Sequence, residues 1–354
     1  MASTASKGEY DHGYQKGRPG ARDRACRRAS HRRLAAHRQR RPGQYPHRLV
    51  DHAGPPHPGA LQQARHPQAL RQELHRRADP LPRQLPQITA MAANEIDMAA
   101  FGPLVLALAV NNARLDVKVV ADIIQDGVDG YHSETFLVRA DSGIDKIEDM
   151  KGKRIGTNAI GSASDTAIRA MFRAKGMRDK RDFTMVEVAF PNIPPMIDEG
   201  KLDLGTVLQP MSKQLIASGK YKVLFTSKDA MGPSQLVFLT ANGKFLEANR
   251  TALMDFFEDH VRAVRWFTDP KNRTEAVKII ADFMQQSPDT LTHLFTKEDY
   301  FRDPFMIPNV KAIQESIDIA VELGLSPTGI TVDPNYVDLS FVEEAKRRIE
   351  AGAQ

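Results

Sequence analysis

The chain has 354 residues, a net charge of +5 and one cysteine, a length that suits two domains. The charge is split: residues 1–88 carry 18 Lys and Arg against 6 Asp and Glu, a net +12, which leaves the remainder at −7. The lone Cys26 excludes a disulfide framework, a zinc site and a credible thiol nucleophile, and the split charge supports no nucleic-acid role.

Residues 1–88 also hold eight of the 11 His and 10 of the 22 Pro, and the first Ile and Phe are Ile88 and Phe101. With almost no β-branched or aromatic residue to bury, such a stretch cannot offset its ordering entropy. Three readings compete: a disordered basic arm for nucleic acid or anionic lipid, an unusual domain, or an out-of-frame translation of GC-rich DNA, which yields Arg, Pro, His, Ala and Gln. The last is preferred, with ordinary sequence resuming near Gln87. The start, "MASTASKGEYDHGYQ", lacks the basic and apolar regions of a signal peptide.

From there the pattern alternates. A helix ending near Asn94 precedes a strand at Ile96–Ala100, and a helix follows at Leu104–Asn111. "LVLALAV", Leu104 to Val110, is too short to span a membrane and reads as buried helix. Val117–Ile124 and Glu134–Arg139 are β-branched strands. "SGIDKIEDMKGKRIGTN" predicts a short helix, a Gly turn and a strand at Arg154–Thr157. The helix from about Ser164 to Lys175 aligns Ala167, Ile168, Met171 and Phe172 and stops at Gly176. "FTMVEVAF" is a strand. Pro194 and Pro195 suit a helical first turn, and Leu202–Val207 is the next strand. "YKVLFTS" and "SQLVFLTA" are two more. Beyond Phe245 apolar residues recur at three- and four-residue steps, including Ala276, Ile279, Ile280 and Phe283. Strands alternating with helices argue for a mostly parallel α/β arrangement, with a helical tail packed on one lobe.

One local pattern occurs twice. "MAANEIDMAAFGP" (Met91 to Pro103) and "MIDEGKLDLGTVLQP" (Met196 to Pro210) each run helix end, polar break, strand, proline-stopped loop. Ligands of open α/β sheets bind beyond strand carboxyl ends, so two such loops would face each other across a cleft. The plainer reading is that helix–Gly–strand units recur in any α/β protein.

"TNAIGSASDTAIRAMF" carries the most chemistry. Gly161 permits a tight turn, and Ser162, Ala163 and Ser164 open a helix whose free N–H groups favour an anion. Ser is also a favoured N-cap, and Ser164 caps the helix in the plainer reading. No Gly-Lys-Ser/Thr follows, so this is not a P-loop. Gln209-Pro210 stands where Phe101-Gly102-Pro103 stands in the first copy, and an amide both donates and accepts. Asp97 and Asp203 recur at matching places and read as structural. His132 and Glu134 lack metal-ligand spacing, His260 reads as packed or solvated, and no Ser-His-Asp arrangement is supported.

At "SETFLVRADSGIDKIEDMKGKRIGTNAIGSASDTAIRAMF" the chain resembles the periplasmic substrate-binding proteins of ABC importers, in the nitrate/sulfonate/taurine group. The likeness runs from about Gln87 to the C-terminus, and the two repeated loops fit the group's cleft loops. It implies an α/β two-lobe periplasmic-binding-protein type II fold: two mixed sheets with helices on both faces, joined by two crossovers. Residues 88–140 and 235–354 would form lobe I, residues 141–234 lobe II, and residues 1–87 the disordered or out-of-frame stretch. The crossovers would lie near Arg139–Ser142 and Gly232–Gln235. "DHGYQKG" would be a remnant of the family's first cleft loop. The ligand set implied is Tyr14, Gln15, Phe101, Gly102, Pro103, His132, Ser133, Gly161, Ser162, Ala163, Ser164, Gln209 and Pro210.

The function implied is a monomeric periplasmic receptor without catalysis, metal or cofactor. It would bind a small organic anion and dock on a membrane permease, with no nucleic-acid partner. Two other classes use related folds. Desulfinases and pyrimidine synthases need a cysteine, and only Cys26 is present. A regulator's effector domain needs an N-terminal helix-turn-helix, whose apolar periodicity residues 18–86 lack. The apolar poverty of residues 18–86 also sets a test. Amide exchange is expected to leave them unprotected while residues 141–234 are protected; strong protection throughout 18–86 would overturn that reading.

Overall fold

Two mixed sheets form where the sequence alternates β-branched with amphipathic runs. The computed structural model describes residues 49–50 and 84–352, all within one unit of the chain. The four-stranded sheet holds β1 (Leu49–Val50), β2 (Met98–Phe101), β3 (Val117–Asp126) and β9 (Ser234–Asn242), in the order β1-β2-β9-β3. The five-stranded sheet holds β4 (Thr135–Arg139), β5 (Arg154–Thr157), β6 (Thr184–Glu187), β7 (Leu204–Thr206) and β8 (Tyr221–Thr226), in the order β6-β5-β7-β4-β8.

The helices, in chain order, are α1 (Gln84–Ala92), α2 (Pro103–Asn111), α3 (Ala163–Ala174), α4 (Ile193–Asp198), α5 (Met211–Ala217) and α6 (Ser227–Met231). Then follow α7 (Gly243–Ala248), α8 (Arg250–Thr268), α9 (Arg273–Met284), α10 (Val310–Glu322) and α11 (Ser340–Ala351). None of the described helices is long and apolar enough to cross a membrane. The helix α1 begins at Gln84, before the expected resumption of ordinary sequence, because Pro86 fits a helical first turn. The rest of the expectation for residues 1–87, β1 apart, falls outside the described residues.

Alternation along β2 divides the first core. Met98 and Ala100 pack with Leu253, Phe257 and Phe341 of α8 and α11, while Ala99 and Phe101 pack with Leu106 of α2 and Ile313 of α10. The second sheet divides likewise. Phe136, Ile155 and Leu204 face Ile168 and Phe172 of α3, and Leu137 faces Ile193 and Ile197 of α4. The pattern expected for α9 fails at its end, where Phe283 is 46% exposed.

The two repeated sentences take equivalent places. Both helix ends turn through a left-handed residue, Asn94 (φ 55°) and Gly200 (φ 66°). Each then supplies an inner strand with one parallel and one antiparallel neighbour: β2 between β1 and β9, and β7 between β5 and β4. One boundary differs from expectation. β4 was expected with residues 88–140, yet it hydrogen-bonds to β7 and β8. The first crossover is therefore residues 127–134, not Arg139–Ser142. The chain returns through residues 227–233.

Gly205 and Gly156 pair across β7 and β5 on the face that α4 covers. A Cβ on Gly205 would overlap the Ile193 Cγ2 methyl, whereas one on Gly156 would meet only the movable Leu202 Cδ1 at 2.6 Å. Gly205→Ala is expected to cost about 1–3 kcal/mol, the usual scale of overpacking, and Gly156→Ala less. Urea unfolding of both variants checks the order.

Candidate functional site

The starts of α2 and α3 approach each other at one cleft. Its wall includes Gly102, Pro103, Leu104 and Val105 from α2 and Gly161, Ala163 and Thr166 from α3. Met231, Ser234, Gln235 and Leu236 from the second crossover and β9, with Ser316 of α10, complete it. The free volume is about 20 Å³, room for roughly one water. The approach is close: a Cβ on Gly161 (φ +82°) would stand 3.4 Å from Leu104 Cδ2.

A helix cannot satisfy its own first N–H groups. No side chain caps α2 at Gly102, and the Leu104 and Val105 N–H groups have no partner among the described residues. In α3 the N-cap is Ser162, whose Oγ accepts from Asp165 N at 3.2 Å and donates to Asn158 Oδ1 at 3.0 Å. The plainer reading makes Ser164 the cap; it lies two residues after the N-cap and its hydroxyl donates to Glu134 Oε1 at 2.6 Å. Gly161 N donates to Asp165 Oδ2 at 2.8 Å. That leaves the Ala163 and Ser164 N–H groups without partners among the described residues.

Most polar side chains of the wall are committed. Gln235 Nε2 donates to Asp122 Oδ1 at 2.7 Å and to two carbonyls, and its Oε1 accepts from Asn309 N. Thr166 and Ser316 hydroxyls donate to carbonyls of their own turns. Ser234 Oγ is buried and unpartnered. Among the described residues, no Lys, Arg, His, Asp, Glu or Cys lines the cleft.

The cleft thus brings together Gly102, Pro103, Gly161 and Ala163 of the expected set. Phe101 is fully buried in the core beneath α2. Ser133 Oγ donates to Asp126 Oδ1 at 2.5 Å and accepts from Lys228 N at 3.0 Å, which staples the two crossovers. His132 packs edge-on against Tyr300 at 5.0 Å, and burial pushes its imidazole down to about 4. Gln209 and Pro210 do not line the cleft: Pro210 precedes α5, and Gln209 Oε1 is buried without a partner among the described residues. Tyr14 and Gln15 lie outside the described residues. Asp203 accepts from Arg154 N at 2.8 Å and sits 3.4 Å from Lys153 Nζ, as a structural residue would.

Sequence reading missed Ser234 and Glu134. Both stand where an antiparallel neighbour of an inner strand begins, Ser234 at β9 and Glu134 just before β4. The start of a strand lies at the same edge as the ends of the strands antiparallel to it, so this edge is legible once strand direction is known. The Glu134 carboxyl is 2% exposed. Its Oε1 accepts from Ser164 Oγ and from Thr206 Oγ1 at 2.7 Å, and its Oε2 has no partner among the described residues. Burial pushes the carboxyl up to about 7, against the pull of those hydroxyls. Among the described residues no group of His, Cys, Asp and Glu is placed to hold a metal.

Residues 87–281 match the model of the NMT1-like family, so the chain belongs to that family. A protein of Bacillus subtilis (strain 168) whose name assigns it to aliphatic sulfonate binding is 23% identical over 271 residues, covering 75% of this chain and 77% of that one. The periplasmic aliphatic sulphonate binding protein SsuA from Escherichia coli shares the fold, with a TM-score of 0.60 and 16% identity over 79% of this chain and 87% of that chain. The desulfurization enzyme DSZB also shares it, with a TM-score of 0.54 and 14% identity over 71% of this chain and 85% of that chain. The α/β two-lobe fold with mixed sheets is thereby established, and it serves binding protein and enzyme alike.

The raised Glu134 carboxyl has a signed consequence. An acid whose folded pKa of about 7 exceeds its ordinary 4.5 stabilises the fold below about 4.5 and loses that contribution as pH rises through 7. His132 runs the other way, so the difference between variants isolates Glu134. Glu134→Gln is expected to leave the melting temperature near wild type at pH 5. At pH 8 it should raise it by about 2–6 °C, for a penalty of order 1–2 kcal/mol in a chain of this size. An equal effect at both pH values would reject an ionisable buried carboxyl.

Proposed function

We propose that the chain is the solute-binding receptor of an ABC importer and that it captures a small, sulfonate-like organic oxyanion between the starts of α2 and α3. One observation carries this: the cleft residues Leu104, Val105 and Ala163 bring to it three first-turn N–H groups that have no partner among the described residues, with the Ser164 N–H next in the chain. Such groups, with two helix dipoles behind them, favour an anion. A wall with no Lys or Arg among the described residues suits a single delocalised negative charge rather than a strongly hydrated multiple one. The apolar Pro103, Val105, Met231 and Leu236 suit an organic tail. The names of the Bacillus subtilis and Escherichia coli relatives support the same class of solute.

On this reading residues 88–126 and 235–352 act as one lobe and residues 135–226 as the other. The crossovers at 127–134 and 227–233 are the hinges between them. Opening is required for entry, since about 20 Å³ admits no sulfonate. The closed monomer would then dock on a membrane permease from the periplasmic side. An enzyme on this fold is the second class, as the likeness to the desulfurization enzyme DSZB keeps in view.

Gly102→Asp tests the site. Asp is a favoured N-cap and would tie up the Leu104 or Val105 N–H with its own carboxylate, so the fold should hold. Calorimetric titration with ethanesulfonate, nitrate and butane-1-sulfonate is expected to show binding of a sulfonate to wild type and at least tenfold weaker binding to the variant. No binding of any of the three, or equal binding by both proteins, would reject the site.

A further inference from the structure

Among the described residues of the cleft wall, the side chains that carry a polar hydrogen are Thr166, Ser234, Gln235 and Ser316. Three of them have given it away. Gln235 Nε2 donates to Asp122 Oδ1 at 2.7 Å, to the Val237 carbonyl at 2.9 Å and to the Ile124 carbonyl at 3.0 Å. Thr166 Oγ1 donates to the Ser162 carbonyl at 2.9 Å, and Ser316 Oγ to the Ala312 carbonyl at 2.8 Å. Ser234 differs. It is 5% exposed, it lines the cleft, and its Oγ is buried with no partner among the described residues.

A buried polar atom without a partner is uncommon in a native protein and needs an explanation. The neighbouring strand does not supply one. Ser234 opens β9 opposite Asp126, the last residue of β3, and the Asp126 carboxyl oxygens accept from Ser133 Oγ and Glu134 N instead. The same pairing fixes the Ser234 backbone where the second crossover joins the sheet, so its hydroxyl stands on a strand and not on a loop. Sites on such elements are the more exactly placed. The first-turn N–H groups of Leu104 and Val105 come to the cleft from α2, and that of Ala163 from α3. β9 is a third, separate element. An oxyanion whose oxygens diverge from one centre would meet donors from all three, and a hydroxyl bonds more strongly to an ionised oxygen than to a neutral one.

We propose that Ser234 is a solute-contacting residue of the cleft, whose hydroxyl donates to an oxygen of the bound oxyanion that neither helix start serves. This rests on the oxyanion-binding reading above and adds to it a side chain from β9. The fold gives up no hydrogen bond when this hydroxyl turns to the solute, because it has no protein partner to leave. The contact makes the third oxygen of a head group a point of recognition, so the cleft distinguishes head groups of equal charge by their oxygens.

The test removes one donor from the protein and one acceptor from the solute. Wild type, Ser234→Ala and Ser234→Cys are titrated calorimetrically with butane-1-sulfonate and butane-1-sulfinate, which share charge and tail and differ by one oxygen. Cys keeps a side chain of similar shape with a weak S–H donor, which separates the hydrogen bond from a packing change. Wild type is expected to prefer the sulfonate by about tenfold or more, the scale of one hydrogen bond to a charged group. Both variants should weaken the sulfonate by about the same factor and the sulfinate far less, so that the preference falls to within about threefold. Without solute, Ser234→Ala should melt no lower than wild type. A wild type with no preference for the sulfonate, an unchanged sulfonate affinity in Ser234→Ala, equal weakening of both compounds, or a lowered melting temperature would overturn the role of Ser234 and leave oxyanion binding intact. Failure of both compounds to bind wild type would overturn both readings.

Discussion

The first turn of a helix has N–H groups that the helix itself cannot satisfy, and the fold aims two such turns at one place. β2 and β5 each end at the edge where their following loops turn, and α2 and α3 begin there. Sequence makes the two starts unlike. Gly102 offers α2 no side chain as a cap, so its Leu104 and Val105 donors stay exposed to whatever enters. Ser162 and Asp165 partly cap α3, taking up the Asp165 and Gly161 N–H groups. The uncapped start is the more open to an external anion.

The two crossovers between the sheets lie against each other. Gly127 (φ +71°) lets one crossover lie against the other, where any Cβ would stand 3.0 Å from Lys228 Cβ. Ser133 and Asp126 join the strands there, and Ser227 N donates to the Glu134 carbonyl at 2.9 Å. Away from the crossovers, Lys213 of α5 meets Glu298 at 2.6 Å. Both side chains are about half exposed, so solvent and salt leave such a pair roughly 0–1 kcal/mol.

Much of the architecture was legible in the amino-acid order. The inner strands, the α3 face of Ala167, Ile168 and Phe172, and the left-handed stops at Gly176 and Gly200 follow from period and turn chemistry. Gly102, Pro103, Gly161 and Ala163 were legible because a strand end followed by Gly and a helix marks an α/β ligand edge. What failed depended on strand direction. β4 reads as an ordinary β-branched run, and only its pairing with β7 and β8 puts Glu134 at the ligand edge and moves the crossover to residues 127–134. Phe101 failed for a simpler reason: alternation along a four-residue strand turns its ring into the core, while Gly102 and Pro103 after it reach the cleft. Phe283 kept helical spacing, but α9 ends where the core it packs on ends.

The carboxyls beside α3 raise the question of how an anion could bind so near them. Asp165 is fully buried; burial pushes its carboxyl up and Arg169, at 2.9 Å, pulls it down. That pair presents little net charge to the cleft, and Arg169 reaches on to Asp179 at 3.1 Å. Glu134 has no such cation. With its carboxyl pushed up to about 7, it spends part of its time neutral near that pH, which removes much of the repulsion an oxyanion would meet.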